Sequence, residues 1–370
     1  MFEQRIAKLL DWMNSQSISM VVFEDSESHR DPGVRYFSGL PSDGVLLVSA
    51  RGDSILFPWD INLASKYAFT GKVIPYDDFG RNVQNAVKFG IEAFRLGKDS
   101  AIEISERTPY PVFLEYVDSL SNYDVLCRSN GLSAFVREMR ETKDETELEI
   151  IREGCRITNQ IIDKIEKKLK TGKEVSESDI AFLIEKEARN AGCEGLSFQT
   201  LAAGPSRSYG IHAFPNFTTG SFGSEGLSIL DFGVSYNGYA SDVTLTVATG
   251  TLLPEQEQQL KLIQEAYELA LSFYKAGNPV GLPAKKVDTF FKKHKRRMPH
   301  GLGHGIGLEI HESPFVRDKS GVEKVFNPGM VVTLEPGLYH PVYGGCRYEN
   351  DILIKETGIE VLTASRIIRL

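Results

Sequence analysis

One dipeptide constrains the fold of this chain more than any other feature. Asn237-Gly238 interrupts a β-rich run over residues 229–246, and Asn-Gly is the pair that a two-residue hairpin turn selects. With the turn there, the numbers of facing residues sum to 475, so Asp231 faces Thr244 and Asp242 lies two residues from Thr244. Strand side chains alternate with period two. Asp231 and Asp242 then share a face as diagonal neighbours, roughly 7 Å apart at Cβ. Two like charges inside apolar strands must be protonated, paired or metal-bound. A lone aspartate in a strand is more often a satisfied structural residue; two in register leave both readings open.

The C-terminal region repeats the pattern. Glu335 follows the strand-like run at 331–334, Glu349 precedes another, and Pro341 to Gly345 supply a turn between them. A loop centred on Val342 sets the two glutamates opposite each other, seven residues away on each side. Pro336 restricts Glu335 to extended backbone, which helps to aim its side chain. Between the two acidic pairs lies the segment 300–312, with glycines at 301, 303, 305 and 307 and three of the chain's seven histidines, His300, His304 and His311. Such glycine density forbids a stable helix and lets backbone approach closely.

The rest of the chain frames these residues. At 370 residues, two domains are expected. The 41% hydrophobic and 25% charged content is that of a globular protein. No apolar run is long enough for a membrane span, and the N-terminus lacks a signal-peptide core. The net charge of −8 argues against nucleic acid as a partner. Four scattered cysteines fit a reducing cytoplasm rather than a disulfide framework. Strand and helix patterns mix over residues 1–130, including a hairpin 45–49/54–58 about Arg51-Gly52-Asp53, and predict an α/β domain. The charged stretch 137–147 reads as a linker or a solvated helix face, and 131–145 is taken as the boundary. Residues 146–370 predict an α+β domain. It opens on a long helix ending near Gly172 and a second at 176–191, with further helices at 254–275 and 283–297. The basic run 292–297 reads as the exposed face of the last. HExxH, GxSxG and Walker A motifs are absent.

The histidine segment and its neighbours resemble a known family, the pita-bread metallopeptidases: Xaa-Pro dipeptidases (prolidases), aminopeptidase P, methionine aminopeptidases and creatinase. Residues 300–312 fit the proline-peptidase signature, and Asp231, Asp242, His304, Glu335 and Glu349 stand in the order of the family's five metal ligands. The resemblance spans residues from about 140 to 370, entered by Arg140-Glu-Thr-Lys143 and Glu147. VRYFSG at 34–39 and GVLLV at 44–48 resemble the creatinase/prolidase N-terminal domain, which disfavours methionine aminopeptidase. Leu245 stands where the family often has arginine, and Tyr348 and Asn350 flank Glu349 where Ile and Asp are common.

The resemblance implies a two-domain α/β plus α+β pita-bread exopeptidase of the cytoplasm, a homodimer, acting on small peptides with proline at the second position. It implies two divalent ions, Mn²⁺ or Co²⁺ first, with Zn²⁺ or Fe²⁺ as alternatives; four carboxylates and one imidazole suit any of them. Asp242 and Glu349 would bridge the ions, Asp231 would complete one shell, and His304 with Glu335 the other. A water activated by the metals would attack the carbonyl before proline, with Glu335 moving the proton to the leaving nitrogen. His212 and His311 match the family's non-ligand histidines and would bind the substrate and the tetrahedral intermediate. Arg347 would orient Glu349. A dipeptidase is favoured over aminopeptidase P. A metal-free creatinase-like hydrolase and a non-enzymatic binding protein are the remaining readings, and intact ligands speak against both. His304 and His311 are seven residues apart, so a regular strand would send them to opposite faces; both reach one site only if the segment bends or bulges.

Overall fold

The computed structural model describes residues 2–318 and 324–370. The chain divides between Met139 and Arg140 into two units, Met1–Met139 and Arg140–Leu370. Residues 131–145, expected as a linker or helix, hold the helix Leu132–Glu141 and the Asp144 cap of the next helix. Among the described residues no helix is long and apolar enough to cross a membrane.

The first unit is α/β. Its mixed sheet runs in the order Lys72–Val73, Ser54–Pro58, Gly44–Ser49, Met20–Asp25, Ala101–Ile104, Asp124–Leu126. Gly44–Ser49 is buried along its whole length, as an unbroken apolar run requires of a central strand covered on both faces. Its hairpin partner Ser54–Pro58 follows a turn closed by Ser49, whose N–H donates to the Asp53 carbonyl at 2.8 Å.

The second unit is α+β. Its first helix, Glu145–Leu169, starts at a capping box: Asp144 accepts from Glu147 N at 3.0 Å and Glu147 accepts from Asp144 N at 2.9 Å. A second such box, at Ser176, starts Glu177–Asn190. A four-stranded sheet orders Ile367–Arg369, Val243–Thr249, Gly226–Phe232 and Leu201–Ala203. A five-stranded sheet orders Glu312–Val316, Gly303–Gly305, Val331–Leu334, Asn350–Ile354 and Ile359–Val361. Apolar clusters back them. Ile161, Ile184, Leu230, Val243 and Leu245 form part of one, and Ile263, Phe291, Val332 and Ile352 part of another.

Register places the site. Facing residues sum to 475 from Gly226↔Thr249 to Phe232↔Val243, and again at Ser235↔Ala240 and Tyr236↔Tyr239. The two stretches meet at Gly233, where an added Cβ would lie 1.8 Å from the Ser241 carbonyl oxygen, so only glycine lets the strands pass this closely. Facing residues sum to 684 both in Val331↔Leu353 to Leu334↔Asn350 and in Gly337↔Arg347 to His340↔Gly344. Glu335 and Glu349 therefore stand opposite each other between two paired stretches. An isolated bridge between Thr244 and Glu349 joins the two hairpins.

Two sequence expectations are corrected. Arg140, Glu141, Lys143 and Glu147 are buried, not a solvated face. Their counter-charges and partners come from far along the chain: Glu309 and Glu312 for Arg140, Glu312 for Lys143, Lys324 for Glu141, and the Tyr239 hydroxyl for Glu147. The helix expected over 283–297 is Leu282–Lys293, and it stops because Lys295 turns left-handed at φ 56°. Lys292, Lys293, Lys295 and Arg297 are exposed, while Arg296 pairs with Glu255 at 2.7 Å.

Candidate metal centre

Asp231 lies on Gly226–Phe232, Asp242 just before Val243–Thr249, and His304 on Gly303–Gly305. Glu335 ends the run begun by Val331–Leu334, Arg347 ends Gly344–Arg347, and Glu349 precedes Asn350–Ile354. With His212, His300 and His311 they line one cavity of about 510 Å³.

At its centre, one donor atom each from Asp242, His304 and Glu349 lie within 4.8 Å of one another. His304 Nε2 stands 3.7 Å from Asp242 Oδ2 and 3.6 Å from Glu335 Oε1. His304 Nδ1 is 3.1 Å from the Gly305 carbonyl. A carbonyl only accepts, so the proton sits on Nδ1 and the Nε2 lone pair faces the carboxylates. Asp231 stands apart from the central three: its Oδ2 accepts from Arg347 Nη2, and its Oδ1 is buried with no hydrogen-bond partner among the described residues.

A layer of polar groups fixes these side chains, and several were missed in the sequence. Thr244 Oγ1 donates to Glu349 Oε2 at 2.5 Å and accepts from Arg347 Nε at 2.9 Å. Asp351 Oδ2 accepts from the Asp242 backbone N–H at 2.9 Å, and Thr333 Oγ1 from His304 N–H at 3.1 Å. The Tyr339 hydroxyl accepts from Arg347 Nη1 at 2.8 Å and lies 3.0 Å from His300 Nε2. His300 Nδ1 is 3.7 Å from Glu335 Oε2. The register rule pointed at Thr244, which faces Asp231. Nothing local marks Tyr339 or Asp351. Leu245, where the family often has arginine, is packed in an apolar cluster.

His304 and His311 share the cavity because the strand pairing breaks between them. His304 pairs with Phe315 and Gly305 with Glu312, so Ser313 and Pro314 are excess residues in a bulge. Residues 306–311 loop out and return, and the two imidazole rings meet edge to face with centroids 4.4 Å apart.

Electrostatics make the arrangement costly as it stands. Burial, then repulsion from the neighbouring carboxylates, pushes Asp242 and Glu349 well above the usual range. Burial also pushes Glu335 up, against the pull of Arg347. Burial, and then proximity to His311, holds His304 down to about 4. Arg347 is the buried cation among four carboxylates, with its own proton held tightly by Tyr339 and the acids despite burial. The donors fit a divalent cation: carboxylate oxygens, one imidazole lone pair with its tautomer set, and an orphaned carboxylate oxygen, all in surplus negative charge.

Residues 149–356 match a family model described as metallopeptidase family M24. The chain is 27% identical to a Xaa-Pro dipeptidase of Pyrococcus horikoshii over 97% of each sequence. Its fold superposes on a Xaa-Pro dipeptidase from Bacillus anthracis with a TM-score of 0.86 at 25% identity, over the full length of both chains. It superposes on an X-Pro aminopeptidase from Thermotoga maritima with a TM-score of 0.84 at 26% identity, covering 99% of this chain and 100% of that one.

Proposed function

This chain belongs to metallopeptidase family M24, and from that premise we propose that it is a Xaa-Pro dipeptidase with a dinuclear site. The observation that carries the reading is the convergence of Asp231, Asp242, His304, Glu335 and Glu349 on one cavity. These five residues hold two divalent cations, Mn²⁺ or Co²⁺, four carboxylates balancing two double charges. When bound, the cations supply Lewis-acid polarisation of the scissile carbonyl and lower the pKa of a water.

The chain's own groups do the rest. Glu335, faced by His300 and His304 at 3.7 and 3.6 Å, carries a proton on Oε2 to the leaving proline nitrogen. His311 and His212 donate to the attacked carbonyl oxygen. Arg347 spans Asp231 and Glu349 and holds both carboxylates in place. A homodimer and a cytoplasmic location belong to the same proposal.

The test is hydrolysis of Ala-Pro against Ala-Pro-Ala, with and without Mn²⁺. A dipeptidase cleaves the first and leaves the second. One observation favours a second reading, an X-Pro aminopeptidase. Phe198 and Gln199 line both the metal cavity and an adjoining apolar hollow with Phe182, Leu196 and Phe217, which offers room beyond proline. Similar turnover of both peptides selects that reading. In either case Ala-Pro is expected to outpace Ala-Leu by at least about 100-fold, near the upper end of what a shaped apolar pocket discriminates. Comparable rates would remove the proline specificity.

Metal removal carries a pH signature. Asp242 and Glu349 lie well above their ordinary range, and burial holds Asp351 at about 7. In the unfolded chain such groups titrate near 4. Below about pH 4 both states are protonated and no stability is lost. As pH rises past that point, the unfolded chain releases protons that the metal-free fold retains, and stability falls until these groups ionise. Bound cations compensate the charges. The gap in Tm between Mn²⁺-loaded and chelated protein should therefore widen from pH 5.5 to pH 8; a constant or shrinking gap contradicts a carboxylate-rich metal site.

A further inference from the structure

His311 reaches the cavity only because residues 306–311 leave the strand and return, and glycine alone does not specify that return. One buried side chain lies at the centre of the excursion. Glu312, the residue after His311, is 7% exposed and points away from the cavity into the loop that precedes it. Its Oε1 accepts from the Glu309 backbone N–H at 3.0 Å. A Cβ at Gly307 would lie 2.6 Å from its Oε2, so the loop backbone packs directly against the carboxylate. From outside the loop Arg140 donates to Glu312 Oε1 and, at 3.0 Å, to Glu309 Oε2, while Lys143 Nζ stands 3.5 Å from Glu312 Oε2. Arg140 and Lys143 are both buried. Burial disfavours charge on Glu312, but Arg140 and Lys143 outweigh it and hold the carboxyl below its ordinary value. A charged carboxylate with three donors, one of them the Glu309 backbone N–H, ties the middle of the loop to one buried point.

Resting on the role proposed above for His311, we infer that Glu312 is a positioning residue: anchored by Arg140 and Lys143, its carboxylate gathers residues 307–309 and thereby sets the His311 ring against His304. Glu312 touches neither substrate nor metal donors in this scheme. It acts through the neighbouring His311, and the buried charge at 140–143 has a catalytic consequence at a distance from the cavity. The rigid pin matters because a donor displaced by about 1 Å loses on the order of 10²-fold in rate.

The experiment is a double-mutant cycle on the Mn²⁺-loaded full-length enzyme with Ala-Pro as substrate, comparing Glu312→Gln, His311→Ala and the double variant. Glutamine keeps the shape and one acceptor but removes the charge that Arg140 and Lys143 hold. Glu312→Gln should lower kcat by about 10–100-fold, with two metals per chain retained and the absorption spectrum of the Co²⁺-substituted enzyme unchanged. The double variant should be no slower than His311→Ala alone, because a missing ring cannot be misplaced. A merely structural Glu312 would instead give losses that multiply, and that result overturns the inference, as does a Glu312→Gln enzyme within about twofold of normal. A harmless His311→Ala overturns the catalytic reading of His311 itself and this inference with it, so the two failures are told apart. Should Glu312→Gln not fold, Arg140→Lys takes its place in the same cycle, keeping the charge but losing the fork that spans Glu309 and Glu312, and the same coupling to His311→Ala decides.

Discussion

Asp242→Ala is expected to abolish peptidase activity, by more than about 10³-fold, and to remove most metal uptake. Loss of an outer-sphere partner alone costs a metal site about 10–100-fold, and on the proposed reading Asp242 is a direct ligand. Its donor atom lies within 4.8 Å of those of both His304 and Glu349, and Asp351 locks its backbone through a 2.9 Å hydrogen bond. The substitution also tests the electrostatic argument independently of catalysis. In the metal-free protein Asp242 is one of several mutually repelling buried carboxylates, so its removal should leave the chelated variant at least as stable as chelated wild type near pH 8. The Mn²⁺-induced rise in Tm should be lost at the same time. Metal analysis and melting curves read both effects. Full activity of chelator-stripped wild type would overturn the metal mechanism and favour a creatinase-like one.

His311→Ala should lower kcat by about 10²–10³, the worth of one donor to a developing oxyanion. Metal content should stay intact, because the His304 Nε2 lone pair faces Asp242 and Glu335 without help from His311. The thermal midpoint should move little, since His311 is exposed at the cavity wall, with its ring edge to face against that of His304. Burial holds the His311 imidazole below its ordinary value, so it is neutral at pH 7 and donates one N–H. Near-normal kcat with a much lower Tm would make His311 a packing residue.

Much of the site was legible because its register is local. Asn237-Gly238 dictates which residues face each other across one hairpin, and the 475 rule held from Tyr236↔Tyr239 out to Gly226↔Thr249. The turn about Val342 did the same for the second, with the 684 rule holding on both sides of Glu335 and Glu349. The helix expected from 176 was readable for the same reason: a cap satisfies backbone donors two or three residues away. The charged stretch 137–147 misled because charge density predicts solvent only when counter-charges are absent. Here Glu309, Glu312 and Lys324 lie more than 160 residues downstream, and no local pattern announces them.

By itself, then, the sequence determined two hairpins, each carrying a pair of carboxylates, and a glycine-rich segment unable to be a helix, because turn chemistry and period-two alternation act over a few residues. It also determined that His304 and His311 could share a site only across a bend. The tertiary structure alone decided that the hairpins meet, through the Thr244–Glu349 bridge. It decided that Arg347 takes Asp231 while Asp242 joins His304 and Glu349, and that a buried Arg140–Glu312 pair closes the loop behind His311. Those are contacts between residues from 45 to 172 positions apart in the chain. Long-range packing and charge compensation select them, and neither leaves a periodic mark on the residues that take part.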